Sequence, residues 1–400
     1  MNTTKYLLSE EGYQNLFKQL DAWLFEHKRL WDVQAFHSLE LPWLETDPEL
    51  CQWLSCLEGI PSSDQVEAAL LRFLPSFAPM QWDWGDLRQP DVLVEPSSHF
   101  KAGIKGRKWS QIEAFSRSIQ PTSEVVEWCA GKGHLGKLIA FQHQCAVHSL
   151  EWQASLCDAG QAEASKRQIS QRFSHTDVLK GEGKSALCDA SSAVALHACG
   201  DLHITLIEQA IEAGVQYLAI SPCCYHLTKS SDYRPLSQAA QAACTHLSQD
   251  NLKLAVKEVV TAGAREQRLK DVELAYRLGF DALQRHALQQ DSYLTVPSCG
   301  KALLNDGFAA FVDWASQQKS LSFKLSSEAL QEFESMGYQR VVQVQKVESV
   351  MQYFRRSLEI WLVLDRALRL EETGYQTLIT TFCDKAITPR NILITANLRA

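Results

Sequence analysis

The middle of this sequence predicts an α/β fold, a mostly parallel sheet with helices on both faces, and three observations predict it. Apolar, strand-like runs alternate with helical stretches between residues 125 and 221. A glycine-rich turn, Glu127-Trp128-Cys129-Ala130-Gly131-Lys132-Gly133-His134-Leu135-Gly136, joins the first such run to the first helix. The alternation stops after Ser237 and resumes near the carboxyl end as two further β-prone runs. Strands alternating with helices imply right-handed βαβ units and a sheet covered on both faces.

The elements follow in order. Leu16, Leu20, Trp23 and Leu24 recur at helical spacing within 9–30, where Ser9, Glu10 and Glu11 provide a start signal. Ser62 and Ser63 lead into Val66, Leu70, Leu71 and Phe73 in the same way over 62–74. Six of the eleven tryptophans fall in this region, which reads as a small aromatic-rich helical core. Four prolines between Pro75 and Pro96 mark a connecting segment. A basic cluster at Lys101, Lys105, Arg107 and Lys108 then precedes Trp109, Ile112 and Phe115 at helical spacing.

Strands are expected at Val125–Cys129, Cys145–Glu151, Phe173–His175, Ala193–Ala198 and Val215–Ser221, with helices at Leu135–Gln142, Leu156–Arg167 and Ile204–Ala213. Residues 265–289, 301–317, 327–335 and 348–372 read as helices, with a strand pair expected around Leu252–Val260 and Tyr338–Val344. Tyr375–Phe382 and Asn391–Ala396 would complete the sheet as its last two strands. The expected organisation is an N-terminal helical domain with linker at 1–98, a core of five strands at 99–237, a mainly helical insertion at 238–372, and the last two strands at 373–400.

Composition narrows the class. The chain has 400 residues, enough for two or three domains, and 46% of them are hydrophobic. No uninterrupted apolar run reaches the ~18 residues of a membrane helix, and the first eleven residues carry no signal-peptide segment, so a cytoplasmic protein with no membrane partner is expected. Twelve cysteines are dispersed without a CxxC pair and read as buried thiols. A zinc site from Cys199, Cys223, Cys224 and a nearby histidine is disfavoured, because adjacent cysteines are poorly placed as joint tetrahedral ligands, and no metal is expected. The net charge of −8 is concentrated in residues 1–98, where 6 Lys/Arg face 16 Asp/Glu, so wholesale binding to a phosphate backbone is disfavoured while a local basic patch is not.

The chemistry lies at the strand ends. Gly131, Gly133 and Gly136 let backbone approach a ligand closely. The partner such a turn needs is an acidic residue about 20 positions on, ending the second strand, where it accepts both hydroxyls of a ribose. Glu151 stands 20 residues after Gly131 and ends that strand. Asp177, after the third strand, is placed to accept from an adenine amino group. These residues favour an adenosine-containing cofactor, leaving open a dinucleotide or S-adenosylmethionine.

Two later motifs, Ala-Leu-His-Ala-Cys-Gly-Asp-Leu at 195–202 and Ser-Pro-Cys-Cys-Tyr-His at 221–226, follow the glycine turn in order. The set resembles the S-adenosylmethionine-dependent methyltransferase family with GKGHL, LHACGDL and PCCY signatures. That family includes methyltransferase-like proteins, a glutathione-transferase-C-terminal-domain-containing protein and, more distantly, tRNA 2′-O-ribose methyltransferases. Residues 105–113 resemble its basic segment, and Asp365-Arg366 and Pro389-Arg390-Asn391 its closing helix and last strand. The likeness covers residues ~100–235 well and ~360–397 moderately.

The resemblance implies a Rossmann-like class I methyltransferase sheet and S-adenosyl-L-methionine as cofactor. It implies that Glu127, Gly131, Gly133, His134 and Gly136 frame the methionine end, that Glu151 holds the ribose and Asp177 the adenine, and that His197, Cys199, Gly200 and Asp201 form the floor. Pro222, Cys223, Cys224, Tyr225 and His226 would line the substrate mouth and, with His197, are the catalytic candidates. His197 and His226 are the candidate general bases, and Pro222-Cys223 resembles the pair with which pyrimidine C5-methyltransferases attack a base covalently.

Ser-Pro-Cys-Cys-Tyr replaces the aspartate-proline-proline-tyrosine motif of amino-group methyltransferases, so transfer to nitrogen does not follow by analogy. The expected acceptor is a macromolecule, RNA (tRNA or rRNA) or protein. The rival from another class is a non-catalytic S-adenosylmethionine-binding scaffold. A NAD-dependent dehydrogenase ranks third, for want of a second mononucleotide-binding half.

Overall fold

The structure, a computed structural model, describes residues 5–7, 12–82, 84–86, 93–257 and 264–399. The chain opens with β1 (Lys5–Leu7) and passes through α1 (Tyr13–Glu26), α2 (Lys28–Trp31), α3 (Pro48–Cys56) and α4 (Ser63–Phe73) to β2 (Trp84–Asp86). Then come α5 (Gly106–Arg117), β3 (Glu124–Trp128), α6 (His134–Gln142), β4 (Ala146–Glu151), α7 (Ala154–Lys166), β5 (Gln171–His175) and α8 (Lys184–Cys188). After β6 (Ser192–Cys199), α9 (Asp201–Ala213) and β7 (Tyr217–Cys223) lie α10 (Gln238–Gln241), α11 (Gln249–Val256), α12 (Ala264–Leu288), α13 (Lys301–Asn305) and α14 (Phe308–Gln318). The chain closes with α15 (Ser327–Tyr353), α16 (Arg355–Glu371), β8 (Tyr375–Thr381) and β9 (Ile392–Leu398).

These elements form two compact units, one of residues 1–26, 80–257 and 356–400 and one of 27–79 and 258–355. The division differs from the segments expected from the sequence: the N-terminal segment contributes to both units, and so does the insertion.

The first unit holds a nine-stranded sheet in the order β2-β1-β8-β9-β7-β6-β3-β4-β5. Strands β3 to β7 are parallel, while β9 runs antiparallel to both β7 and β8. The seven strands from β3 to β9 are the expected Rossmann-like class I methyltransferase sheet. All seven residues of β7 are buried, as befits a central strand covered on both faces. One side of the core joins Trp109, Ile112 and Phe115 of α5 to Leu138 and Ile139 of α6 and to Val125, Val147, Val194 and Leu393 of the sheet. The helical spacing of the first three thus marks a buried stripe, and Lys105, Arg107 and Lys108 are left exposed.

The N-terminal segment is not wholly helical. β1 pairs antiparallel with β8, Lys5 opposite Thr381, and β2 pairs with β1. Three-residue strands carry too little alternation to be read as strands. The helix expected over 9–30 is α1 and α2; its start signal at Ser9, Glu10 and Glu11 lies outside the described residues.

The strand pair expected around Leu252–Val260 and Tyr338–Val344 is helical. Ser248 and Asn251 form a reciprocal cap that starts α11, and residues 258–263 lie outside the described residues. Val341, Val344, Val347 and Val350 are all buried along α15, so β-branched residues spaced three apart serve a helix face.

In the second unit, buried Asp281 of α12 accepts from Arg285 Nε at 3.0 Å and from Arg340 Nη1 of α15 at 2.7 Å. The same guanidinium groups reach back to the carbonyls of His37 (2.7 Å) and Phe36 (3.2 Å). Segments far apart in sequence are therefore held by one ionic knot.

Candidate functional site

Because β3 to β7 are parallel, the turns after them gather at one edge of the sheet. The turn after β3 is left-handed at Cys129 (φ 57°), Gly131 (φ 58°) and Gly133 (φ 64°). It is pinned by Ala130 N donating to Leu150 O at 2.9 Å and by Gly131 N donating to Glu151 Oε2 at 2.8 Å. The three glycines have different reasons. A Cβ on Gly133 would run into the Phe173 ring, and one on Gly136 into the Glu127 carboxylate, whereas one on Gly131 would meet no protein atom within 4 Å. Packing of the fold therefore requires two of them, and only Gly131 borders open space.

Glu127 is 3% exposed and faces the interior. Its carboxyl group accepts from Gly136 N (2.9 Å) and Ser149 Oγ (2.6 Å), so it braces the first turn of α6. Burial pushes its pKa up to about 7, against hydrogen bonds from Ser149 and Gly136 that lower it. A carboxyl that holds its proton more tightly when folded adds stability below its ordinary pKa of 4.5 and loses it as pH rises through about 7. Roughly 3 kcal/mol is expected to disappear across that window. Thermal melts of Glu127→Gln should show a flatter dependence on pH there than the wild type; an equal slope would refute the assignment.

Glu151 ends β4, 6% exposed, with Gly131 N on Oε2 and Gln153 N on Oε1 at 2.9 Å. A carboxylate has about four lone-pair sites, so each oxygen keeps one for a ligand. Asp177 follows β5 and caps a 3₁₀ turn, accepting from Leu179 N at 3.2 Å and pairing with Lys180 Nζ at 3.2 Å. His134 begins α6; burial, then Lys137, Lys108 and Lys132, bring its pKa down to about 4, so its imidazole is neutral.

His197 has a left-handed backbone (φ 66°), and its Nε2 lies 2.8 Å from Gln111 Oε1. Gln111 Nε2 donates to Ile387 O at 3.4 Å, which orients the amide. His197 Nε2 therefore carries the proton and Nδ1 keeps a lone pair. Burial first and Arg390 next lower its pKa. Gln111 was not apparent as a site residue in the sequence; its signal was its place in the basic segment.

The motifs at 195–202 and 221–226 are knitted together. Gly200 N donates to Cys223 O (3.2 Å), Asp201 N to Leu227 O (3.2 Å), and Lys229 N to Asp201 Oδ2 (2.9 Å). A Cβ on Gly200, whose φ is 57°, would collide with the Leu227 carbonyl. The register of β6 on β7 shifts between Leu196 and Cys199, and Cys224 is left-handed (φ 46°). Left-handed non-glycine residues cost of order 1–3 kcal/mol each and persist where the surroundings hold them.

This geometry revises the mouth expected from the sequence. Pro222 and Cys223 are buried and Tyr225 is 1% exposed. The Tyr225 ring packs under the Arg366 guanidinium at 4.8 Å and edge-on to His203 at 6.0 Å, so it supports the loop from inside and does not face a substrate. Cys223 and Cys224 also differ. The neighbouring thiols of Cys199 and Cys224, with burial, hold the proton on Cys223, whereas the thiols of Cys199 and Cys223 stabilise a thiolate on Cys224, which is half-buried. His226 is half-buried, with a shielded Nδ1 that has no hydrogen-bond partner among the described residues.

Residues 107–231, which span β3 to β7 and all three motifs, match a family profile described as Methyltransferase domain. No curated protein matches the sequence. Among solved structures, precorrin-6y C5,15-methyltransferase from Geobacter metallireducens GS-15 aligns at 9% identity and a TM-score of 0.25, over 30% of this chain and 64% of that one. TYW2 of P. horikoshii, solved with MeSAdo, aligns at 16% identity and 0.26, over 34% and 54%. Geranyl diphosphate C-methyltransferase from Streptomyces coelicolor A3(2) aligns at 10% identity and 0.23, over 44% and 63%. The chain thus spans less than two thirds of each of these three. Residues 107–231, which hold the parallel strands of the sheet, are thus similar to a methyltransferase domain. No helix of the described residues is long and apolar enough to cross a membrane.

Proposed function

We propose that this chain is an S-adenosylmethionine-dependent methyltransferase acting on a macromolecule, with RNA (tRNA or rRNA) the favoured acceptor. The observation that carries this reading is Glu151 at the end of β4, bonded to Gly131 N and retaining one acceptor site on each oxygen. Those two sites suit the paired hydroxyls of a ribose. When bound, the donor would supply an electrophilic methyl group on its sulfonium. Gly131, in a turn braced by Glu127, Gly133 and Gly136, offers open backbone to the methionine end beside His134, and Asp177 lies one strand further on for the adenine.

In-line displacement gains most from alignment of the two reactants. A base is needed only for an acceptor that arrives protonated, and His197 is suited to it: Gln111 fixes its tautomer, and burial and Arg390 keep it neutral. His226 is the second candidate.

RNA is favoured over protein by the first turn of α5. Lys105, Arg107 and Lys108 are exposed there, and Lys108 acts electrostatically on Glu127, His134 and His197. Cationic side chains beside such a site suit a phosphate backbone.

Incubation of the purified chain with methyl-labelled donor and separate RNA and protein fractions of its own cell tests the reading. Label is expected in RNA, and Lys105→Ala/Lys108→Ala should reduce it several-fold at low salt, with the deficit shrinking as salt rises. Label confined to protein would overturn the RNA assignment. Donor binding without transfer to either fraction would leave the scaffold reading in its place.

A further inference from the structure

Cys199 closes β6, Cys223 closes β7 and Cys224 follows it, and the three Sγ atoms all lie within 4.8 Å of one another. The Cys199 and Cys223 sulfurs are 3.3 Å apart. Thiolates bound to zinc at about 2.3 Å sit about 3.8 Å from each other at the corners of a tetrahedron, so the three sulfurs already occupy the volume of three such corners.

The sequence argued against this arrangement, because adjacent cysteines are poorly placed as joint tetrahedral ligands; in the β7 strand that the structure extends to Cys223, neighbouring side chains would point to opposite faces. Two departures from regular backbone overcome that objection. Cys224 adopts φ 46°, which ends the alternation, and the register shift between Leu196 and Cys199 re-aims Cys199 across to β7. His197 and Gly200, on either side of Cys199, are also at positive φ. Unfavourable backbone is thus concentrated on the residues that bring the sulfurs together, and bonds such as Gly200 N to Cys223 O and Leu227 N to Cys224 O (2.9 Å) hold it in place.

We propose that Cys199, Cys223 and Cys224 bind one zinc ion as a three-thiolate site with a fourth coordination position left for an exogenous ligand. Soft thiolates select zinc over magnesium, calcium or manganese. Three thiolates and a divalent cation sum to a single negative charge, and Arg390, which acts electrostatically on Cys199 and Cys224, offsets it. Three protein ligands with an open position is the arrangement of zinc sites that bind a water or a substrate donor. The assignment displaces the covalent role considered for Cys223 and Cys224, since a metal-bound thiolate is no longer a free nucleophile.

The test uses the full chain without methyl donor, so its outcome is separate from that of the proposed activity. Purified under reducing conditions and equilibrated with zinc, the desalted wild type should retain about one metal per chain by elemental analysis. Cobalt titration should give visible bands of tetrahedral coordination and near-ultraviolet sulfur-to-cobalt charge transfer. Cys199→Ser, Cys223→Ser and Cys224→Ser should each weaken zinc binding by more than the roughly 10–100-fold of outer-shell changes. Cys145→Ser, a buried thiol elsewhere in the core, should not.

Circular dichroism identifies any variant that fails to fold, and substitution of half-buried Cys199 or Cys224 disturbs packing less than that of buried Cys223. Reduced wild type without stoichiometric zinc or charge transfer, or unchanged affinity in folded Cys224→Ser, would overturn the proposal.

Discussion

Replacing Glu151 by alanine is expected to weaken binding of S-adenosylmethionine and S-adenosylhomocysteine by roughly 100-fold or more, as two hydrogen bonds to a charged acceptor, at about 1.5–3 kcal/mol each, are lost. The substitution also strips Gly131 N and Gln153 N of their acceptor, which loosens the turn that the donor would meet. Titration calorimetry on wild type and variant reads the effect directly. Glu151→Gln separates the two contributions, because it keeps an acceptor but not the charge, and an intermediate affinity is expected. Undiminished binding by Glu151→Ala would remove the ribose assignment and, with it, the observation on which the proposed function stands.

The second large effect concerns stability. Asp365 of α16 is fully buried and accepts from Tyr233 Oη, from Leu236 N at 3.0 Å, and from both Ser237 N and Ser237 Oγ at 2.7 Å. Its neighbour Arg366, also buried, donates to His203 Nε2 (2.8 Å), Tyr233 Oη (3.0 Å) and Leu362 O (2.6 Å). His203 Nδ1 in turn lies 2.9 Å from Ala198 O, so this network reaches the end of β6.

Asp365→Ala leaves four donors without this acceptor and removes the buried carboxylate that Tyr233 Oη links to the Arg366 guanidinium. The unfolding free energy should fall by about 3–5 kcal/mol, measured by urea titration of the full chain. Asp365→Asn, which keeps one acceptor oxygen, should lose less. A change below about 1 kcal/mol for Asp365→Ala would show that the network contributes little net energy.

Much of the sheet was legible because its signals are local. The alternation of apolar runs and helices, and the distance from Gly131 to Glu151, follow from the period of the elements and the length of a βαβ unit. What depends on distant partners was not legible. β1 and β2 are strands because β8 offers an edge to pair with, and nothing within three residues records that. Val341 and Val344 are strand formers by propensity, and the core of the second unit recruits them to a helix. At the site, Gly133 and Gly136 read as ligand contacts, yet their neighbours are Phe173 and Glu127. The sulfur cluster was hidden for the same reason, since left-handed Cys224 and the shift in β6 are properties of the assembled edge.

The position of the helical insertion has a consequence for synthesis on the ribosome. β7 pairs with β9, which emerges more than 150 residues later, after α10 to α16 and β8. β1, near residue 5, waits even longer for its partner β8. A growing chain therefore carries an unpaired, apolar edge at β7 while most of its second half is still being translated, and such edges invite association with other nascent chains. Late strand arrival makes residues 375–398 a closing piece, and translation that stopped before them would leave the parallel core built but open on one side.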